Sequence, residues 1–262
     1  MQRIDRLRGH GRRRLLSALA LAGGLAAFGL VWAWVAAPLR VMPPPVAIGI
    51  SSDALARRAE AAFTDADAAT GRAVHGAARA EFVVFRGATS SVCVTGLDGR
   101  GVFYCPESGV AAVDLGYLDA LAARLRDNAE LGVALVAARL AAEHRQREAG
   151  VLDSAALDMI GARKARRAEI AKGLALQADC LTGAWARSAE ESLGAVPNGF
   201  WGALVQSARN VAAAFADAGH PIAPELDPFA AGTREDRAQA FARGYDAASA
   251  SACPAPVTLD MP

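Results

Sequence analysis

The residues of this chain predict an α+β domain, a small antiparallel sheet set in a mostly helical body, preceded by one transmembrane helix. Two patterns carry the domain. Short β-branched or aromatic stretches separated by Gly and Asp occur at Glu81 to Arg86, Ser91 to Thr95, Gly101 to Tyr104 and Val110 to Asp114, which reads as a compact sheet. On both sides of it the helical period dominates, and a hydrophobic content of 53% supports a packed core rather than disorder. A third pattern, an uncharged run from Leu15 to Leu39, predicts the membrane helix.

Residues 1–14 are basic, with Arg3, Arg6, Arg8, Arg12, Arg13 and Arg14 against the single acid Asp5. At about 1.5 Å rise per residue, the run 15–39 reaches roughly 35 Å as a helix, enough for a hydrocarbon core of about 30 Å. The leading arginines put the N-terminus in the cytoplasm, and Trp32 and Trp34 sit where the far interface would lie. The expectation is a single-pass signal anchor in the inner (cytoplasmic) membrane with the C-terminal domain in the periplasm. A cleaved signal peptide is the alternative, since Val35-Ala36-Ala37 offers small residues to a peptidase, but its apolar region would span only about 7 to 15 residues. Pro43-Pro44-Pro45 marks a stiff linker over 40–50. The domain is expected over 51–257, with 258–262 a tail.

Within the domain, a first helix is expected from Ser52 to about Ala80, with Ser52 or Asp53 as N-cap. After the sheet, Leu118, Leu121, Ala122 and Leu125, then Leu131, Ala134, Leu135, Ala138 and Ala142, keep helical spacing. A long, broken helical stretch runs from Ser154 to about Glu191, and Pro197-Asn198-Gly199 turns the chain. Thr233 with Asp236 resembles a capping box opening a last helix, with Phe241 and Tyr245 on its apolar face.

Charge is balanced, 28 Lys+Arg against 27 Asp+Glu, so no electrostatic footprint for nucleic acid exists and that partner class is excluded. The four cysteines, Cys93, Cys105, Cys180 and Cys253, all follow the anchor, in the part expected to reach an oxidising compartment. Four cysteines permit three pairings; spacing favours Cys93 with Cys105 across a short β segment, leaving Cys180 for Cys253. A cysteine zinc site would need clustered thiols such as CxxC, and none occurs.

Three ordered blocks resemble the bacterial neutral zinc metallopeptidase family, whose members are membrane-anchored and carry an HExxH helix. The first is Gly101-Val102-Phe103-Tyr104-Cys105-Pro106, followed by Val113-Asp114-Leu115. The second, Leu176-Gln177-Ala178-Asp179-Cys180-Leu181-Thr182-Gly183-Ala184-Trp185-Ala186, is close to the family's ELQADC-x-x-G-x-W-A. The third runs from Arg237 to Cys253, with Phe241, Gly244, Tyr245 and the final cysteine in place. The resemblance covers roughly residues 81 to 255 and implies a zincin scaffold of gluzincin type.

The metal chemistry that the resemblance implies is missing. In such a peptidase two His at i and i+4 face the metal, and the Glu between them activates the bound water. Aligned with the family, Arg139 stands at the first His, Leu140 at the catalytic Glu and Glu143 at the second His, while His144 and Gln146 match residues that do not bind metal. The third ligand, a Glu, is replaced by Ala175, and the supporting Asp remains as Asp179. No register shift restores the motif, because no two of His10, His75, His144 and His220 are four apart. A guanidinium repels a dication at close range. Arg139 is expected either to pair with Glu143 or Asp179 in place of the metal, or to form with Glu143 a solvated surface pair.

Other chemistry is weaker still. Leu140-Ala141-Ala142-Glu143-His144 ends like an inverted HxxEH motif but begins with Leu, and His144 with Glu148 on an Arg-rich surface helix reads as solvated. No serine-nucleophile elbow is present. Gly161 to Arg167 is a basic run that could touch phospholipid headgroups or an acidic partner, or simply face solvent. The expectation is a pseudopeptidase with no cofactor that binds an envelope protein or peptide; the alternative is an active zinc peptidase with unrecognised ligands.

Overall fold

The computed structural model describes residues 52–71, 80–90, 93 and 98–255. The segments 1–14, 15–39 and 40–50 and the tail 258–262 lie outside the described residues, and among those described no helix is long and apolar enough to cross a membrane.

Helix α1 covers Ser52–Gly71 and is followed by strands β1 (Glu81–Phe85), β2 (Thr89–Ser90), β3 (Asp98–Gly99), β4 (Val102–Cys105) and β5 (Val110–Asp114). Helices α2 (Leu115–Leu125), α3 (Ala129–Glu148), α4 (Val151–Met159), α5 (Lys164–Ser188), α6 (Glu190–Leu193), α7 (Phe200–Asp217) and α8 (Arg234–Ala247) complete the body. This is an α+β fold. Its principal sheet is mixed rather than antiparallel: the order is β1-β5-β4, with β4 antiparallel and β1 parallel to β5. The reason lies in β5. A tight turn, in which Gly109 N donates to the Cys105 carbonyl at 2.8 Å and Gly109 takes φ +73°, folds β5 back on β4 and leaves its far edge for β1. Side-chain alternation is the same for parallel and antiparallel neighbours, so periodicity carries no sign of the direction. Of the expected strand 91–95, only residue 93 is described, as a bend.

Asp114 ends β5 and caps α2, its Oδ1 accepting from Gly116 N at 2.8 Å and from Gly87 N at 3.0 Å. The cap thereby ties the sheet to the helical body. Ser52, expected as an N-cap, instead donates its hydroxyl to Asp119 on α2 at 2.9 Å. The first helix is described over Ser52–Gly71, and the rest of its expected span, 72–79, lies outside the described residues. The break in the 154–191 stretch falls at Gly161, and Gly199, at φ +75°, immediately precedes α7. Thr233 caps α8, accepting from Asp236 N at 3.1 Å. Phe241 stacks on Trp201, with ring centroids 4.8 Å apart.

Helix α3 corrects a second expectation. It is not a surface helix but the centre of the fold, packed against α1, α2, α5 and the sheet, and nearly every residue from Gly132 to Ala142 is buried. Beside it α5 and α8 cross backbone to backbone: a Cβ at Gly183 would overlap the carbonyl oxygen of Phe241, and one at Gly244 would overlap that of Cys180. Because backbone cannot yield as a side-chain tip can, Gly183→Ala or Gly244→Ala is expected to cost about 3 kcal/mol, the upper end of overpacking. The urea midpoint of each variant checks this; a loss below about 1 kcal/mol would show that the crossing is loose.

Candidate functional site

The crossing of α3, α5 and α8 carries the charges. Asp179 is completely buried on α5, one helical turn after Ala175. Arg237 on α8, also completely buried, grips it with two bonds of 2.6 Å, Nε to Oδ2 and Nη2 to Oδ1. From the other side Arg139 Nε donates to Asp179 Oδ1 at 3.0 Å. Arg139 Nη1 also lies 2.8 Å from Glu143 Oε1, an ion pair whose N–H directions do not align into a hydrogen bond. Two guanidinium groups thus face two carboxylates and the cluster is neutral, as a buried charge set must nearly be.

Arg139 is 2% exposed, and the Glu143 side chain 19%. The solvated surface pair is therefore not what forms. Leu140 is fully buried in the main apolar core and Ala175 is buried on α5, so neither offers a ligand atom. Arg237 is the residue that sequence reasoning missed. Its signal was present: Arg237, Phe241, Gly244 and Tyr245 stand at i, i+4, i+7 and i+8, so a cation lies on the apolar stripe of the last helix. Arg237 Cζ also sits 5.2 Å from the Phe229 ring centroid, and Arg209 anchors that segment by donating to the Phe229 carbonyl at 2.8 Å and the Gly232 carbonyl at 2.6 Å.

Burial pushes the Glu143 carboxyl above its ordinary value of 4.5, with Arg139 opposing, and burial likewise raises Asp227. A raised folded-state value means that the stability linked to Glu143 is fully present below about pH 4.5 and is lost as pH rises through the folded value. Glu143→Gln is therefore expected to flatten the decline of unfolding free energy with pH above that point. An identical pH profile for the parent and the variant would contradict it.

The next residue on α3, His144, is buried rather than solvated, with Nδ1 2.8 Å from Tyr104 Oη and Nε2 3.7 Å from Asp67 Oδ1. Burial raises the Tyr104 phenol, so it keeps its proton in this contact. Gln146 is buried as well, donating to the Leu174 carbonyl at 2.9 Å and tying α3 to α5. Beyond them an open polar cavity of about 420 Å³ is lined by Pro106, Glu107, Arg147, Glu148 and Asp153.

Both disulfides form as paired in the sequence, Cys93 with Cys105 and Cys180 with Cys253. Cys93, Cys105 and Glu107 lie close enough together to suggest a metal, but the two sulfurs are bonded to each other and supply no thiolate.

The neutral zinc metallopeptidase family, described as "Putative neutral zinc metallopeptidase", matches residues 52–255, and the chain belongs to it. Two relatives named "Uncharacterized protein YpfJ", from Escherichia coli strain K12 and Escherichia coli O6:H1, are each 27% identical over 179 residues, covering 66% of this chain and 60% of the relative. The chain thus spans under two thirds of the length of those relatives. No solved structure matches it.

The residues present do not fit the zinc that the family description implies. Both oxygens of Asp179 are taken by guanidinium groups, and Arg139 brings a fixed positive charge into contact with it. The nearby imidazole, His144, is turned to Tyr104 and Asp67.

Proposed function

We propose that this chain is a pseudopeptidase of the envelope: a zincin-like domain, held at the inner membrane by residues 15–39, that binds a protein or peptide without cleaving it. The observation that supports this reading most is the buried Arg139–Asp179–Arg237 contact, since Arg139 is the residue that the family resemblance aligns with the first metal-binding imidazole. A cation built into the chain would hold α3, α5 and α8 together without supplying an activated water. The open cavity beside Glu107, Arg147, Glu148 and Asp153 would serve as the remaining groove, its carboxylates suited to a basic side chain of a peptide.

Metal analysis of the purified full chain tests the reading. The expected result is zinc well below one equivalent, with stability and peptide binding unaffected by chelators and no peptide hydrolysis. Stoichiometric zinc, removed by chelators together with a proteolytic activity, would instead support an active peptidase using ligands outside the family positions. Family membership is the observation that favours that second reading.

A further inference from the structure

We propose that the hairpin joining α4 to α5 is a foot that rests on an anionic lipid bilayer, Leu157 and Ile160 entering the interfacial layer while Arg163, Lys164, Arg166 and Arg167 engage lipid phosphates. Leu157 and Ile160 are 69% and 76% exposed, far more than the large apolar side chains of the core. The Ile160 amide donates to the Leu157 carbonyl at 3.1 Å, which holds the two residues together at the end of α4. Gly161 follows at φ +72°, and a Cβ there would meet nothing within 4 Å, so the turn stands clear of the rest of the domain.

Residues 157–167 contain four cations and one acid, Asp158, a net charge of +3. Arg166 pairs with the exposed Glu169 at 3.3 Å, whereas Arg163, Lys164 and Arg167 enter no ion pair among the described residues. Apart from the Arg166–Glu169 pair, these cations do not serve α5. Its first turn has no acid, and cations there oppose the helix dipole. An exposed aliphatic pair beside uncompensated cations is matched by a partner apolar below and anionic at its surface, which describes a bilayer interface. An acidic protein would also need a shaped apolar socket for both side chains, while lipid needs none. The proposal rests on the membrane reading above only for bringing lipid within reach.

The full chain is placed in nanodiscs of phosphatidylcholine with or without phosphatidylglycerol, and amide exchange over 157–167 is compared. Slower exchange is expected in the anionic discs. Protection should drop about fivefold for each of Arg163→Gln and Lys164→Gln. It should disappear in Leu157→Ser/Ile160→Ser, with exchange in α3 unchanged as the sign that the fold persists. Equal exchange in the two discs overturns the proposal, as does protection that survives the double serine change. Equal protection by soluble polyglutamate without lipid also overturns it, in favour of an acidic protein partner. A chain that fails to enter discs counts against the anchor alone, and the hairpin is then tested by the same exchange on anionic vesicles.

Discussion

Asp179→Asn is expected to destabilise the domain by about 3–5 kcal/mol, the cost of breaking a buried ion pair from one side. Asp179 accepts three charge-assisted bonds from two guanidinium groups, and all three residues are essentially inaccessible to water. Asparagine keeps the shape but halves the acceptors, turns an N–H toward an arginine and leaves the interior with a net positive charge. Arginine cannot escape by deprotonating, so the penalty falls on the fold. Arg139→Met should cost much less, because Arg237 still satisfies Asp179 bidentately and an apolar side chain of similar length fills the space. Denaturation followed by the fluorescence of Trp185 and Trp201, both buried nearby in the same core, measures both variants. An Asp179→Asn variant within about 1 kcal/mol of the parent would mean that the cluster is not what joins the three helices.

That cluster was half legible in the sequence. Arg139 and Asp179 stood out because the family resemblance aligns them with positions of a known motif, and the spacing on α3 and α5 made their contact plausible. Burial was not legible. Around α3 most residues are Ala, Leu or Val, and Ala contributes little contrast between faces, so the arginines near the end of the helix made it look exposed. In fact Arg145 and Arg147 are half-buried and alternate with the buried His144 and Gln146. The sheet shows the same limit: β5 reads Val110-Ala-Ala-Val-Asp114, an apolar run buried on both faces, which marks a central strand but not the direction of its neighbours. What spacing did convey was covalent or local: the disulfide pairs, the Thr233 cap and the break before α5.

Loss of the Cys180–Cys253 disulfide is expected to cost about 4 kcal/mol, more than the roughly 3 kcal/mol for Cys93–Cys105, because the entropy of closing a loop grows with its length. The two bridges join residues 73 and 12 positions apart. The longer one also acts directly on the charge cluster. Cys180 follows Asp179 and touches the Gly244 crossing, while Cys253 packs against Ala142, Ala178 and Leu181, so the bridge clamps the end of α8 onto α5 and α3. Arg237 lies on the helix whose trailing segment carries that bridge. Cys180→Ser/Cys253→Ser and Asp179→Asn should therefore couple, with an interaction free energy of at least about 0.5 kcal/mol in a double-mutant cycle. Cys93→Ser/Cys105→Ser, whose bridge sits on β4 and touches none of α3, α5 and α8 through a bond of its own, should add to Asp179→Asn independently. Equal additivity for both bridges would show that the C-terminal tether stabilises only its own segment and leaves the arginine clamp on Asp179 unaffected.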